Sequence, residues 1–246
     1  MNYKSIPEML SWLENKSEIN WILLDTETTG LKGSKIEQLT QVSAKLVKYD
    51  YLENKFLYKA EFNEKILLTT ETIRRYDIVK PILEFNHYDD GDYVYKNENI
   101  VLDSFFEFIK QNTPSLLVAQ NAPFDVDMLT GRYNHKIVEE VFDTKMLIRL
   151  YLIPIFQKLS ETDNHYKELL NKIGTSDRDN GLISSSLSKI GPALDIDMKG
   201  YHDALTDCVL MGEMCISIFR TMKDNHSLDI EKYQLDRVNV IKTKKQ

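Results

Sequence analysis

The stretch between Trp21 and Gly30 constrains the fold of this chain more than any other segment. It opens with an unbroken apolar run that leads into two acids, Asp25 and Glu27, with one threonine between them. An apolar run of this kind, bounded by polar residues and a glycine, is typical of a short strand that is buried on both faces. Because side chains alternate along a strand, Asp25 and Glu27 are expected to project to the same side where the strand ends.

Two carboxylates on one side of a buried strand repel each other. The arrangement is stable when a cation lies between them, and a divalent metal ion suits that place. The alternative is that the strand frays at this point and that both acids are solvated. This segment alone favours neither the metal site nor the frayed strand end. The remaining sequence has to distinguish the two interpretations.

Length and composition predict one soluble globular domain, large or with insertions. The chain has 246 residues, of which 42% are apolar and 28% charged, so it can bury a substantial core. It contains no run of about 18 apolar residues that would span a membrane, and its first residues lack the apolar core of a signal peptide. Its only cysteines, Cys208 and Cys215, share one helical pattern and need no partner. They predict free thiols in a reducing, intracellular (cytoplasmic) location.

The formal charge of −7 limits the partners of the chain. A protein that grips long nucleic acid through its phosphates is usually basic. Any contact with nucleic acid is therefore expected to be local, metal-assisted or shared with a partner. This argues against a non-catalytic DNA-coating protein more than against an enzyme, because bound dications reverse the sign of an acidic site.

The hydrophobic periodicity of the whole chain predicts a mixed α/β fold. Strands are expected at residues 21–24, 41–49, 56–62, 116–119 and 141–144, the first three as an antiparallel meander. Helices are expected within residues 1–20, at 69–76, 100–111, 123–133, 185–193 and 203–222, and from 144 until Pro154 interrupts. Residues 77–98 are expected to be irregular, 160–181 to be polar with an exposed loop, and 223–246 to form a polar tail.

Two further acids follow predicted strand or helix boundaries. Asp125 comes soon after the strand at 116–119 and falls in the first turn of a helix, where the helix macrodipole favours a carboxylate in any case. Taken alone, Asp125 is explained by that structural role. Asp207 lies in a helix that is apolar on nearly every side, and a buried carboxylate without a partner costs several kcal/mol. Asp207 therefore needs a cation or dedicated hydrogen-bond donors.

His202 precedes Asp207 by five residues, which is roughly 140° around a helix. The two side chains can face one site only if His202 lies on the loop before the helix, with Asp203 expected as the N-cap residue. Gly200 just upstream supports such a loop. A lone histidine is more often structural than catalytic, so His202 gains weight only from its acidic neighbours.

Together, four acids and one histidine come from three separate strand or helix ends. Four carboxylates that converge on one point suit two dications about 3.5–4 Å apart, a pair that stabilises the attacking and leaving oxygens of an in-line phosphoryl displacement. A histidine can take the proton from the attacking water at neutral pH. These residues predict metal-assisted phosphodiester hydrolysis.

Three motifs in the sequence carry a resemblance to a known family. Residues 25–30 (DTETTG), 121–125 (NAPFD) and 202–207 (HDALTD) are similar, in order and spacing, to the three motifs of the DEDDh 3′–5′ exonucleases. This family includes the proofreading subunit of bacterial replicative polymerases and oligoribonuclease. The resemblance covers residues 21–222, and it implies an RNase H-like fold with a five-stranded mixed sheet flanked by helices.

The resemblance also implies roles for individual residues. The implied metal ligands are Asp25, Glu27, Asp125 and Asp207, which would hold two divalent ions, Mg²⁺ or Mn²⁺. His202 matches the general base and completes the catalytic set. Thr26, Gly30 and Leu31 match positions that line the pocket for the 3′-terminal nucleotide, and Asn121 and Phe124 match positions that contact substrate or shape the site.

On the same basis the domain organisation follows the family. Residues 1–20 are expected to form an N-terminal helical extension, residues 21–222 the exonuclease domain, and residues 223–246 the polar tail. Insertions near 77–98 and 160–181 exceed what a minimal family member needs. They are expected to modify substrate access or dock a partner, or else to be surface decoration.

Three functional hypotheses remain open at this point. The leading one is an exonuclease that releases nucleoside 5′-monophosphates from the 3′ end of single-stranded or frayed DNA, in proofreading or repair. The first alternative is a 3′–5′ exonuclease of short RNA, because the metals act on phosphate and discrimination depends on contacts to the 2′-OH. The second is an inactive, polymerase-associated interaction protein, which the intact acids and histidine argue against. The expected partners are DNA or RNA 3′ ends and a DNA polymerase or other replication protein, with no membrane.

Overall fold

A five-stranded mixed sheet forms the centre of the molecule. The computed structural model describes residues 5–89, 91–131, 135–176 and 181–234. The strands are β1 (Asn20–Thr28), β2 (Leu39–Asp50), β3 (Lys55–Lys65), β4 (Ser115–Ala119) and β5 (Glu140–Asp143), and their order is β3-β2-β1-β4-β5. The first three strands pair antiparallel, whereas β1, β4 and β5 run parallel to one another. The predicted α/β class and five-stranded mixed sheet are confirmed.

Helices flank both faces of this sheet. They are α1 (Ile6–Lys16), α2 (Thr70–Arg74), α3 (Tyr76–Phe85), α4 (Glu98–Gln111), α5 (Ala122–Thr130), α6 (Thr144–Leu147), α7 (Ile153–Leu159), α8 (Asn164–Ile173), α9 (Leu187–Ala193) and α10 (Ala204–Asp224). A π-helical segment, Ile148–Leu152, joins α6 to α7, and a small hairpin consists of β6 (Thr175–Ser176) and β7 (Leu182–Ile183).

The central strand β1 is buried on both faces, as its apolar run predicts. Trp21 and Leu23 belong to the core shared with α1 and α10, whereas Ile22 and Leu24 belong to the opposite core, shared with α4 and α5. The odd-numbered side chains of β1 therefore face α10. This helix lies close to the strand because residue 212 is a glycine: a Cβ there would stand 2.9 Å from Leu23 Cδ1.

Residues 77–98 were predicted to be irregular, and that prediction is wrong for α3. The helix contains Pro81 in its second turn, where proline removes a backbone hydrogen bond and is unfavourable. It forms nevertheless because Val79 and Leu83, four residues apart, are buried together with Tyr88 in a small separate core. Tertiary burial outweighs the local signal of the proline.

The helix predicted to stop before Pro154 continues to the end of α7. Pro154 has no N–H to donate to the carbonyl of Leu150, four residues earlier. The side chain of Gln234 replaces that donor: its Nε2 donates to Leu150 O at 2.6 Å, and Gln234 is fully buried. Ile230 is buried as well, so the segment predicted as a polar tail is packed at these two positions. Residues 235–246 lie outside the described part of the chain.

The polar region 160–181 contains a helix that the sequence did not predict. α8 begins after Asp163, whose Oδ1 accepts a hydrogen bond from His165 N at 2.8 Å. The β6–β7 hairpin lies where the exposed loop of this region is expected. Residues 177–180, between its two strands, lie outside the described residues.

Two further findings concern the cysteines and the apolar length of the helices. Cys208 and Cys215 are both free and buried on α10, as their spacing predicts. Among the residues that the structure describes, no helix is long and apolar enough to cross a membrane.

Candidate active site

The end of β1 carries the first two predicted metal ligands. Asp25 and Glu27 continue the face of the strand that holds Trp21 and Leu23, so both carboxylates lie on the side of α10. Glu27 is only 9% exposed, and the pairing of β1 with β2 shifts register directly after it. Such irregularities commonly redirect strands and side chains next to functional sites. Near its end, the strand thus presents the carboxylates of Asp25 and Glu27 toward the N-terminus of α10.

The N-terminus of α10 brings Asp207 and His202 to the same place. Asp203 caps the helix and accepts a hydrogen bond from Thr206 N at 3.1 Å, which confirms its predicted N-cap position. His202 lies on the preceding loop with a φ of +76°, and its backbone N–H donates to Asp207 Oδ1 at 3.2 Å. A non-glycine residue in this left-handed region is strained, and such strain is concentrated at functional sites.

Three of these side chains are close enough to share one ion. Each of Glu27, His202 and Asp207 offers a ligand atom, and the three atoms lie within 4.8 Å of one another. Carboxylate oxygens are the ligands that Mg²⁺ and Mn²⁺ prefer, and imidazole nitrogen is a common ligand of other divalent transition metals. The donor set therefore fits a divalent metal ion. His202, predicted as a base, lies near enough to serve as a ligand too.

Asp125 reaches the same end of the sheet from its other face. It lies in the first turn of α5, and its Oδ1 accepts a hydrogen bond from Thr26 Oγ1 at 2.7 Å. Strand alternation explains this contact, because Thr26 points away from α10 and toward α5. The turn before α5 is held by Asp143, whose Oδ1 accepts from Asn121 N at 3.0 Å. All four predicted acids thus lie at one end of β1, and the charge of Asp125 acts on Asp25.

Burial and mutual repulsion raise the pKa values of these acids. Burial, and then the charge of Asp207, raises the pKa of Glu27 to about 9. Burial raises the pKa of Asp125 and of Asp207 to about 7, against the hydrogen bonds that both carboxylates accept. The pKa of Asp25 is raised well above its usual range by burial and then by Glu27. A cation in this site would relieve a large unfavourable concentration of charge.

His202 is uncharged at neutral pH. Burial, and then the neighbouring His87, lowers the pKa of His202 to about 4. A neutral imidazole has a nitrogen lone pair that accepts either a proton or a metal ion. The ring is therefore in the protonation state that a general base requires.

The residues predicted to bind the 3′-terminal nucleotide differ in accessibility. Leu31 is 70% exposed and follows Gly30, which is buried. A Cβ at Gly30 would lie 2.7 Å from the carboxylate of Glu37, so glycine keeps this turn closely packed. Leu31 offers exposed apolar surface four residues after Glu27 in the chain, and its role in binding stays a prediction.

The other three residues predicted to contact substrate, Thr26, Asn121 and Phe124, make contacts with other residues of the protein. Phe124 is half-buried and packs against the core shared with α4 and α5. The hydroxyl of Thr26 is held by Asp125. Asn121 is exposed, has a φ of +65°, and its Oδ1 accepts a hydrogen bond from Lys145 Nζ at 3.4 Å. Their contacts with substrate also stay predictions.

Thr26→Val is expected to lower the free energy of unfolding by about 1–3 kcal/mol at about pH 8, because the buried carboxylate of Asp125 loses its side-chain donor and keeps only backbone donors. The loss should be smaller at about pH 5, where Asp125 is protonated in the folded state. Urea denaturation at the two pH values measures both effects. Thr40→Val is the matched control: Thr40 is also buried, and its hydroxyl has no hydrogen-bond partner within the described residues. Equal losses in both variants would contradict the role given to Thr26.

Three residues that surround this site were not predicted from the sequence. Phe85 and Tyr201 contact the His202 ring, and Lys65 is a buried cation, 2% exposed, whose charge lowers the pKa of Glu27. The aromatic residue directly before His202 was a local signal that could have been used. Phe85 lies in a region predicted to be irregular, and Lys65 lies beyond the strand predicted at 56–62, so neither had a local signal.

The sheet order and its flanking helices give a fold that is similar to solved exonuclease structures. No protein-family model matches the chain, and no curated protein matches it in sequence. Among solved structures, the chain is similar to exonuclease I, with a TM-score of 0.54, 13% identity, and coverage of 83% of this chain and 42% of that one. It is also similar to E. coli exonuclease I in complex with a dT13 oligonucleotide. The TM-score is 0.55 and the identity 13%, and the match covers 85% of this chain and 42% of that one. A weaker similarity, with a TM-score of 0.47 and 15% identity over 82% of this chain and 64% of that one, is to cell-death related nuclease 4 (CRN-4). The chain thus spans less than half the length of exonuclease I.

Proposed function

We propose that this chain is a divalent-metal-dependent 3′–5′ exonuclease that removes nucleoside 5′-monophosphates from single-stranded DNA. The observation that carries the proposal is the convergence of buried carboxylates with raised pKa values and a neutral histidine at the end of β1. Such acids are costly to hold together unless cations bind among them. The fold shared with exonuclease I supports the same class of reaction.

The acids would hold two Mg²⁺ or Mn²⁺ ions, with Asp25, Glu27, Asp125 and Asp207 as the ligands. When bound, such ions supply Lewis acidity and neutralise charge that develops on the phosphate. His202 accepts the proton of the attacking water, and its backbone bond to Asp207 keeps it beside the carboxylates. The water oxygen bonds to phosphorus, the P–O3′ bond breaks, and the new 3′-hydroxyl of the shortened strand takes up a proton.

Single-stranded DNA is the proposed substrate, because E. coli exonuclease I has been solved with a dT13 oligonucleotide. The formal charge of −7 favours a short contact at the 3′ end over a long electrostatic grip. Exposed Leu31 offers an apolar surface on which the terminal base can rest. Residues 21–222 are proposed as the exonuclease domain. Association with a DNA polymerase is a separate hypothesis that co-purification would test.

A digestion assay tests this function directly. With Mg²⁺, the purified chain is expected to shorten a 5′-labelled single-stranded DNA oligonucleotide stepwise and to release mononucleotides. A phosphorothioate linkage at the 3′ terminus should slow the shortening, and a chelator in excess should abolish it, because hydrolysis needs both the terminal phosphodiester and the ions. Asp25→Asn is the control for a contaminating nuclease.

A matched RNA oligonucleotide, digested in parallel, decides between the two nucleic acids. Faster hydrolysis of RNA would reassign the substrate. No release of mononucleotides from either oligonucleotide would contradict the proposed function and would favour an inactive interaction protein.

A further inference from the structure

The ring of Phe85, at the end of α3, lies against the imidazole of His202. Their ring centroids are 3.8 Å apart, and Tyr201 contacts the same imidazole with a centroid distance of 3.7 Å. Tyr201 adjoins His202 in the sequence, so its contact is local. Phe85 comes from a different element, and the residue is 57% exposed. The fold thus keeps an aromatic ring at the surface and sets it against the proposed base.

The imidazole of His202 needs support from outside its own loop. Gly200 and His202 have φ values of +80° and +76°. Both residues therefore adopt left-handed backbone conformations in the loop just before α10 begins. The hydrogen bond that His202 makes within the described residues comes from its backbone N–H and does not hold the ring. Contacts with neighbouring rings are therefore what limits rotation of the side chain.

The turn that follows Phe85 is anchored to the sheet by hydrogen bonds. Asn86, next to Phe85, donates from Nδ2 to the carbonyl of Thr28 on β1 at 3.1 Å. The buried ammonium of Lys65, at the end of β3, donates to the carbonyls of His87 at 2.5 Å and Tyr88 at 2.7 Å. These bonds tie the turn after α3 to two strands. Phe85 is thus held by the same strand that carries the acids.

We propose that Phe85 is a positioning residue that holds the His202 ring in the rotamer facing Glu27 and Asp207. The inference rests on the proposed role of His202 as the general base. In that role a fixed imidazole matters, because misplacing a reacting group by about 1 Å can lower a rate roughly 10²-fold. α3 then acts as a fixed wall of the active site and not as surface decoration.

NMR of the metal-free protein tests the contact without any assay of activity. The chain has five histidines, and the ring signals of His202 can be assigned by their loss in His202→Gln. The wild type is expected to show cross-relaxation between the His202 and Phe85 rings and a single His202 rotamer. In Phe85→Leu the signals should move downfield as one ring current is lost, and more than one rotamer should be populated. Phe85→Tyr should restore the wild-type pattern.

Kinetics give the second readout. Phe85→Leu is expected to lower kcat about 10- to 100-fold while KM changes by less than about threefold, because positioning of the base is lost and substrate contacts remain. Phe85→Tyr should retain most of the activity. Ile78→Leu, an apolar exchange at a position on α3 that is 70% exposed, is the matched control and should leave kcat and KM unchanged.

Each outcome decides the proposal. An unchanged His202 rotamer in Phe85→Leu would overturn it, whatever the activity. A changed rotamer with wild-type kcat would overturn the positioning role. If the wild-type chain has no exonuclease activity, the proposed function fails, and the NMR comparison still shows whether Phe85 fixes the ring.

Discussion

Asp207→Asn is expected to lower the rate of mononucleotide release at least about 10³-fold. The amide has the shape of the carboxylate, and its oxygen can accept the hydrogen bond that His202 N–H donates to Asp207 Oδ1. The loop geometry is therefore retained while the charge is lost. Bound metal ions contribute several kcal/mol to the transition state of phosphoryl transfer, and about 1.4 kcal/mol corresponds to a tenfold change in rate.

The same substitution is expected to stabilise the metal-free protein at about pH 8 by roughly 1 kcal/mol or more. Burial raises the pKa of Asp207 to about 7, so the folded state at this pH carries a charge that it disfavours, and each pKa unit corresponds to about 1.4 kcal/mol. Part of this gain is offset by the burial of a polar amide. Urea denaturation in the presence of a chelator measures the change.

Glu213→Gln is the matched control for Asp207→Asn. It removes one negative charge from the same helix at an exposed position, so activity and stability should both stay close to wild type. An Asp207→Asn variant with near-wild-type activity would contradict the proposed role of this carboxylate. A variant that loses activity and also stability would mean that the carboxylate is structural.

The stability of the metal-free protein is expected to fall as the pH rises from about 5 to about 9. The pKa values of Asp125 and Asp207 are raised to about 7 and that of Glu27 to about 9, whereas unfolded carboxylic acids titrate near pH 4. Between about pH 4 and about pH 9 these carboxyl groups bind more protons in the folded protein than in the unfolded chain. The free energy of unfolding therefore decreases as the pH rises and these protons are removed.

Divalent metal ions should reverse this trend. They bind the ionised carboxylates of the folded state, so millimolar Mg²⁺ or Mn²⁺ should raise the unfolding temperature more at about pH 8 than at about pH 5. Thermal unfolding with metal and with chelator at both pH values measures the linkage. Glu27→Gln should flatten the metal-free pH dependence. A metal-free protein that becomes more stable toward pH 8, or a metal effect independent of pH, would contradict the raised pKa values.

The sheet could be predicted because its strands carry strong local patterns. The apolar run before Asp25 and the alternation in β2 and β3 are properties of single segments, and each strand formed close to where its pattern lies. The convergence of the acids was also accessible, since Asp25 and Glu27 precede a turn and both Asp125 and Asp207 lie in first helical turns. Local periodicity and capping chemistry predicted the place of each acid in its own element, whereas their grouping into one site was implied by the resemblance of the three motifs to a known family.

The remaining features depend on contacts between distant segments. α3 forms despite Pro81 because its apolar side chains find a core of their own. The helix around Pro154 continues because Gln234, far along the chain, satisfies a carbonyl that proline leaves without a donor. The contact of Phe85 with His202 is of the same kind. None of these interactions leaves a periodic signal in its own segment, so they emerge only when the chain is folded.

The most direct test of the central claim, that these acids form a metal site, is the location of Mn²⁺ by anomalous diffraction from crystals soaked in its salt. Two ions are expected within about 4 Å of each other, bound by oxygens of Asp25, Glu27 and Asp207 at the end of β1, with Asp125 completing the site. Asp25→Asn crystals should lose at least one of them. No ion at this position at saturating Mn²⁺, or equal occupancy in wild type and Asp25→Asn, would contradict the proposed metal site.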